Sequence, residues 1–147
     1  MALREATAKD VPLIVAMLAD DALGREREQL TDMTPYLRAL EAIQVDPHNW
    51  QYVWEENGEV LGCLQLTIIP GLSQQGSWHA QIEGVRTLGT RRGSGIGKKM
   101  MAAIMQIARD KGCKSMQLLT NKSRVDAQRF YRNLGFAHSH EGMKAKL

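Results

Sequence analysis

A mixed α/β fold is the class this sequence predicts, and three observations carry the prediction. Apolar residues recur at helical spacing in two distant stretches, Leu13, Ile14, Met17 and Leu18, then Ile96, Met100, Ile104 and Ile107. Strand-like runs bounded by turn residues lie before, between and after them. A glycine-rich turn, "RRGSGIGKKM", joins one such run to the second helix. Such alternation packs helices on the faces of a sheet. At 147 residues the chain fits one domain, 1–147, large enough to bury a substantial core.

The elements follow in order. "LREA" reads as a short first strand. The first helix has Thr7 or Asp10 as its cap, and Pro12 favours Asp10 because proline is tolerated only in the first turn. A second helix starts at "TPYLRALEAI", with Thr34 as N-cap, Pro35 at the first position and a stripe of Leu37, Leu40 and Ile43. "QYVWEENGEVLGCLQLTII" is a β-hairpin in which Asn57-Gly58 supplies the positive φ angles of a tight turn. After the loop "PGLSQQGS", the run "WHAQIEGVRTL" is a strand interrupted by Gly84. The helix opened by the glycine turn ends near Lys111-Gly112. "KSMQLLT" is then a strand, "RVDAQRFYRNLG" a helix closed by Gly135, and "FAHSH" and "MKAKL" two short final strands.

Composition narrows the functional classes. No apolar run approaches the roughly 20 residues of a membrane span, and "MALREATAKD" lacks a signal peptide's apolar segment. Cys63 and Cys113 form no CxxC and meet no histidine at ligand spacing, so no metal site is expected. Two reduced thiols in a cytoplasmic protein is the expectation, with a disulfide as the alternative. The net charge of +3 hides an asymmetry. Residues 10–59 hold 11 acids and 3 bases, and residues 86–147 hold 3 acids and 14 bases. Either the halves are two differently solvated surfaces, or a basic half holds an anion and an acidic half admits a cation.

A strand, a glycine turn and a helix start together form an anion site, because the first helical N–H groups lack partners and the dipole is positive there. Gly-x-Gly-x-x-Gly fails, since Lys98 stands where the third glycine belongs. The P-loop pattern also fails, with Arg92 at its first glycine and Lys99 at its Ser/Thr. Arg-x-x-Gly-x-Gly fits, through Arg92, Gly95 and Gly97.

That pattern resembles the acetyl-CoA-binding signature of the GCN5-related N-acetyltransferase (GNAT) superfamily. Downstream, "NKSRVDAQRFYRNLGF" resembles the same superfamily's later motif, through Ala127, Phe130, Tyr131, Leu134, Gly135 and Phe136. The tail is also similar to a bacterial subgroup that includes aminoalkylphosphonate N-acetyltransferases. The resemblance implies a twisted mixed sheet of about six to seven strands flanked by about four helices. It further implies that the strand ending at Arg86-Thr87 splays from "MQLLT" and that the pantetheine arm pairs with Val85 and Thr87 in the gap. The pyrophosphate would be cradled by the segment Arg92, Gly93, Ser94, Gly95, Ile96, Gly97 and Lys98. The stretch Arg86–Lys99 carries five bases and no acid, which suits the phosphorylated nucleotide and adds Arg86 to the coenzyme-binding candidates. Asn121 matches a position where relatives hold the coenzyme arm or order water.

The implied chemistry is acetyl transfer from acetyl-CoA to a small-molecule primary amine by direct attack. An ammonium near pKa ~10.4 must lose a proton, an oxyanion needs a donor, and the departing thiolate leaves better protonated. Each such acid–base assistance is worth roughly 10²–10⁴-fold. Tyr131, where the family places a tyrosine near the sulfur, is the candidate general acid. Glu83 is the candidate base, acting through water, and sits two residues before Val85, so alternation predicts a shared face. Gly84 between them permits a bulge that aims the Val85 N–H at the acetyl carbonyl. Arg124 and Arg129 either approach the coenzyme or are solvated. Trp50, Trp54 and Trp78 are expected to pack the sheet.

Two other classes compete: an acyl-CoA-binding regulatory module without transfer, and a nucleic-acid-binding domain. The modest charge and the absence of basic–aromatic interleaving argue against the latter. The acceptor is read two ways, cationic from the acidic half and anionic from the tail. Homodimers are common in the family the sequence resembles.

Overall fold

In the computed structural model, which describes residues 2–147, a five-stranded sheet carries helices on both faces. The helices are α1 (Val11–Ala19), α2 (Ala22–Arg27), α3 (Thr34–Val45), the single turn α4 (Ser73–Gly76), α5 (Ile96–Asp110) and α6 (Val125–Asn133). The strands β1 (Leu3–Glu5), β2 (Asn49–Glu56), β3 (Glu59–Ile69), β4 (Trp78–Thr87) and β5 (Cys113–Gln117) lie side by side in chain order. The first four are antiparallel; β5 runs parallel to β4, so α5 forms the crossover that parallel pairing requires.

The hairpin turn falls where expected. Asn57 (φ 51°) and Gly58 (φ 79°) are both left-handed and bring Glu56 opposite Glu59. One core lies between the sheet and α5, where Leu64, Leu66 and Ile82 meet Met100, Met101 and Ile104. On the opposite face α1 buries Ile14 and Met17 against Val53 and Cys63, while Val11 and Val15 meet Leu40 of α3. No helix among the described residues is long and apolar enough to cross a membrane.

Helix entries differ by a residue from expectation. Thr7 and Asp10 both act, because a 3-10 turn precedes α1 and the Thr7 N–H donates to Asp10 Oδ2 at 2.7 Å. At α3 the cap position is Met33, and Asp32 Oδ1 accepts from the Thr34 N–H at 3.0 Å.

Five strands form instead of six to seven, and α2 and α4 raise the helices to six. "FAHSH" and "MKAKL" are not strands: Met143 is 92% exposed and no ladder includes either segment. Alternation in "FAHSH" puts Phe136, His138 and His140 on one face and Ala137 and Ser139 on the other. Neither row offers enough apolar area to offset the entropy of ordering.

Candidate active site

The β4–β5 ladder runs only from Trp78 and Cys113 to Gln81 and Gln117. Beyond it β4 continues to Thr87 while β5 has ended, so the expected splay is present and Ile82 to Thr87 line its β4 side. Within this stretch Cys63 pairs with Arg86 and Gln65 with Glu83, leaving one extra residue on β4. Gly84, at φ 59°, absorbs that extra residue in the expected bulge.

The bulge changes which side chains share a face. Val85 packs with Ile82 in the core on the α5 side. Glu83 is exposed opposite Gln65, on the same face as Cys63 and α1. The expected common face for Glu83 and Val85 is therefore corrected, because an inserted residue resets strand alternation.

The glycine segment forms the entry to α5. Gly95 is the N-cap at φ 86°, a conformation that disfavours any side chain. The N–H groups of Ile96, Gly97 and Lys98 precede the first helical bond, from Lys99 N–H to Gly95 O, and project from the helix end. Gly97 is needed for space: a Cβ there would stand 3.2 Å from Phe130 Cζ and 3.6 Å from Thr87 Oγ1. Gly93, by contrast, has open space around it and only a positive φ of 80°. Gly97→Val is accordingly expected to destabilise the fold by about 1–3 kcal/mol through overpacking against Phe130. Gly93→Ala should cost about 1 kcal/mol. Urea unfolding of the two variants tests that order.

Three of the four cations here already have partners. Arg92 Nη2 donates to the Asp20 carbonyl and to Asp20 Oδ2, both at 3.1 Å. Arg91 meets Glu59 at 3.2 Å and Lys99 meets Glu56 at 3.6 Å. Lys98 has no carboxylate partner among the described residues. Ser94 Oγ donates to the Arg91 carbonyl and tightens the turn.

Tyr131 stands on α6, half-buried, with its ring edge-on to Phe130 (5.2 Å) and Phe136 (5.7 Å). The Phe136 N–H returns to the Tyr131 carbonyl, and Gly135 at φ 98° closes the helix. Burial pushes the phenol above its ordinary value, and the nearby Arg86 and Arg124 charges oppose that shift. The net effect keeps the proton on the oxygen at neutral pH.

Arg86 turns its side chain toward the α1–α2 connection. Its Nη1 donates to the Val85 carbonyl at 2.9 Å, Nη2 lies 3.9 Å from Asp21 Oδ2, and the buried Nε–H has no partner among the described residues. Arg124 Nη1 reaches the same Asp21 oxygen at 2.9 Å. Asp21 also accepts from the Gly24 N–H, which caps α2. Burial raises the Asp21 carboxyl, but the Gly24 bond and the charges of Arg124, Arg86 and Arg27 hold it below its ordinary value.

Sequence reasoning missed Asp20 and Asp21. The one local signal was an Asp pair before a short helix, the signature of an N-cap. Asn121 commits its side-chain oxygen to the Ser123 N–H (2.9 Å) and Ser123 Oγ (2.8 Å), leaving its amide group for any ligand. Arg129 pairs with Asp126 on an exposed helix face. Trp54 is core, Trp50 lies under Lys111 Nζ at 4.2 Å, and Trp78, 39% exposed, stacks edge-on with His48. Cys63 and Cys113 are free thiols. Desolvation pushes Cys63 up to about 12, so it is a poor nucleophile at neutral pH. Among the described residues no group of three His, Cys, Asp or Glu side chains could hold a metal.

Comparison with known proteins gives a consistent result. A family model described as "Acetyltransferase (GNAT) family" matches residues 15–136. An aminoalkylphosphonate N-acetyltransferase of Salmonella typhimurium is 30% identical over 138 residues, covering 94% of this chain and 86% of the relative. A crystal structure described as a transcriptional regulator from Bacillus halodurans superposes with TM-score 0.94 at 46% identity, over 99% of this chain and 98% of that one. A protein of Clostridium acetobutylicum, described as a predicted acetyltransferase and solved with acetyl-CoA, gives TM-score 0.73 at 20% identity, over 98% and 94% of the two chains.

Proposed function

Because the chain belongs to the GNAT acetyltransferase family, we propose that it moves an acetyl group from acetyl-CoA to a primary amine of a small molecule by direct attack. The observation that carries this reading is the convergence on one gap of three features. They are the unpaired end of β4, the N-terminal N–H groups of α5 and a half-buried Tyr131 held protonated. The N-acetyltransferase relative and the neighbour solved with acetyl-CoA support the same donor and reaction class.

Acetyl-CoA supplies an activated thioester when bound. The open edge of β4 near Val85 and Thr87 would take the pantetheine arm as an added strand. The segment Arg92–Lys98 would hold the pyrophosphate, with Lys98 available at once and Arg92 after release from Asp20. Glu83 is exposed, so it would accept the ammonium proton through water. Tyr131 would give its proton to the departing sulfur as the new N–C bond forms and the C–S bond breaks, while the nitrogen sheds its second proton to water and Tyr131 recovers one from solvent. The buried, high-pKa Cys63 favours direct attack over an acyl-cysteine route.

The test is release of coenzyme thiol over an amine panel with acetyl-CoA as donor. Thiol release without amine product, or none with any amine, would sink the transfer reading. Glu83→Gln should lower kcat/KM about 10–100-fold at neutral pH and recover toward pH 10, where the amine sheds its own proton. A flat deficit across pH would remove Glu83 from the base role.

A second reading, an acyl-CoA-binding module without transfer, draws on the Bacillus halodurans neighbour described as a regulator. Tight acetyl-CoA binding by calorimetry with no acetylated amine would favour it.

A further inference from the structure

Beside Glu83 the sheet carries a half-buried polar row. Gln65 of β3 stands directly opposite Glu83 of β4, and Asn49 of β2 stands opposite Thr67 of β3. Residues paired across antiparallel strands share a face, with Cβ atoms about 4.5–5.5 Å apart. Asn49 Oδ1 gathers two donors on this face, Gln65 Nε2 at 2.9 Å and Thr67 Oγ1 at 3.2 Å. The Gln65 amide is thereby fixed by its nitrogen, and its carbonyl oxygen accepts nothing among the described residues. Oxygen and nitrogen diverge from the same amide carbon, so a nitrogen held toward β2 turns the oxygen to the side on which Glu83 lies. The Glu83 carboxylate also has no ion-pair or hydrogen-bond partner among the described residues.

Two neighbouring acceptors to which the chain supplies no donor fit a small bridging molecule with two O–H groups. We infer that Gln65 is a positioning residue for the proton transfer: its carbonyl oxygen accepts one O–H of the water through which Glu83 takes the ammonium proton. This rests on the acetyl-transfer reading and on Glu83 as its base. The water gives its other O–H to the Glu83 carboxylate, which turns a lone pair of the water to the ammonium. As the proton passes, an N–H bond breaks and the water oxygen gains that hydrogen. The water's O–H toward Glu83 breaks in the same step, the carboxyl forms, and the amine keeps its electron pair for attack on the thioester carbon. Gln65 exchanges no proton. A neutral amide orients the water without competing for the proton, as a second carboxylate would.

The experiment measures thiol release at neutral pH over the amine panel for the parent, Gln65→Met, Glu83→Gln and the double variant. Methionine keeps the length of the side chain and removes the acceptor oxygen, and urea unfolding checks that each variant folds. Gln65→Met is expected to lose about tenfold in kcat, with KM within about twofold of the parent's. In the Glu83→Gln background the same change should cost less than about twofold, because both residues act through one water. A merely structural role would slow both backgrounds equally. Asn49→Ala, which frees the Gln65 amide, should lower kcat about threefold. Asn49→Asp still accepts from Gln65 and Thr67, so it should recover most of that loss. Unchanged kcat in Gln65→Met, or additive losses in the double variant, overturns the inference. So does a loss confined to KM, which would put the Gln65 oxygen on the ammonium itself. Should Gln65→Met not fold, the Asn49 variants carry the test, and no recovery in Asn49→Asp overturns the inference. If the parent releases no thiol with any amine, the transfer reading falls and takes this inference with it; if the parent turns over, a failure at Gln65 leaves the transfer reading standing.

Discussion

Tyr131→Phe is expected to lower turnover about 10²–10³-fold while leaving the fold and acetyl-CoA binding close to the parent's. The change removes one oxygen and keeps the ring, so the edge-on contacts to Phe130 at 5.2 Å and Phe136 at 5.7 Å persist. What disappears is the proton that makes a thiolate a good leaving group. Burial raises the phenol above its ordinary value, only partly countered by Arg86 and Arg124, so the acid form dominates across the neutral range. The sign of the pH dependence follows: parent activity is retained below the raised phenol value and lost as pH climbs through it. The variant, lacking that group, should show no such alkaline limb. Steady-state kinetics between pH 6 and about pH 10.5 read both effects. Unchanged kcat in the variant would remove Tyr131 from the acid role and return it to the core.

Local features of this site were legible because local sterics encode them. Gly95 has to adopt a left-handed φ at the N-cap, Asn57-Gly58 has to turn a hairpin, and the Ile96–Ile107 stripe has a period any helix would show. The bulge at Gly84 was readable, but not its consequence, since moving Val85 to the face of Ile82 depends on register with β3. Charge pairing was hidden for a related reason. The acidic first half suggested a cationic substrate, yet Asp20, Asp21, Glu56 and Glu59 pair with Arg92, Arg124, Lys99 and Arg91 of the basic half. These partners lie far apart in sequence, and nothing in local pattern links them. Four of the eleven acids of residues 10–59 are thus counter-ions of the basic half, so part of the charge asymmetry is internal pairing. The six-residue α2 was likewise invisible, because it is too short to show a period and is fixed by Asp21 at its cap.

Away from the site, Asp10→Ala should carry the largest stability loss, about 2–3 kcal/mol near pH 7, by removing the two-pronged partner of Arg4 and leaving the Thr7 N–H without its acceptor. Asp10 is 8% exposed and takes a two-pronged contact from Arg4, at 2.8 and 3.0 Å. The Thr7 N–H adds a third bond, and Arg4 continues to Glu55 at 3.0 Å, tying the α1 entry to β1 and β2. The Arg4 hydrogen bonds lower the Asp10 carboxyl below its ordinary value, burial opposes them, and the Thr7 bond assists. A carboxyl depressed in the folded state stabilises fully above its unfolded value of about 3.9 and loses that contribution as pH falls through the folded value. The gap between parent and variant should therefore be widest at neutral pH and close as the solution is taken well below pH 4. Urea unfolding at pH 7 and at about pH 2.5 measures it. Asp10→Asn should fall between the two at pH 7, since its amide oxygen still accepts from Thr7 but offers Arg4 no charge. A gap of equal size at both pH values would mean that packing, rather than the carboxylate, holds the α1 entry in place.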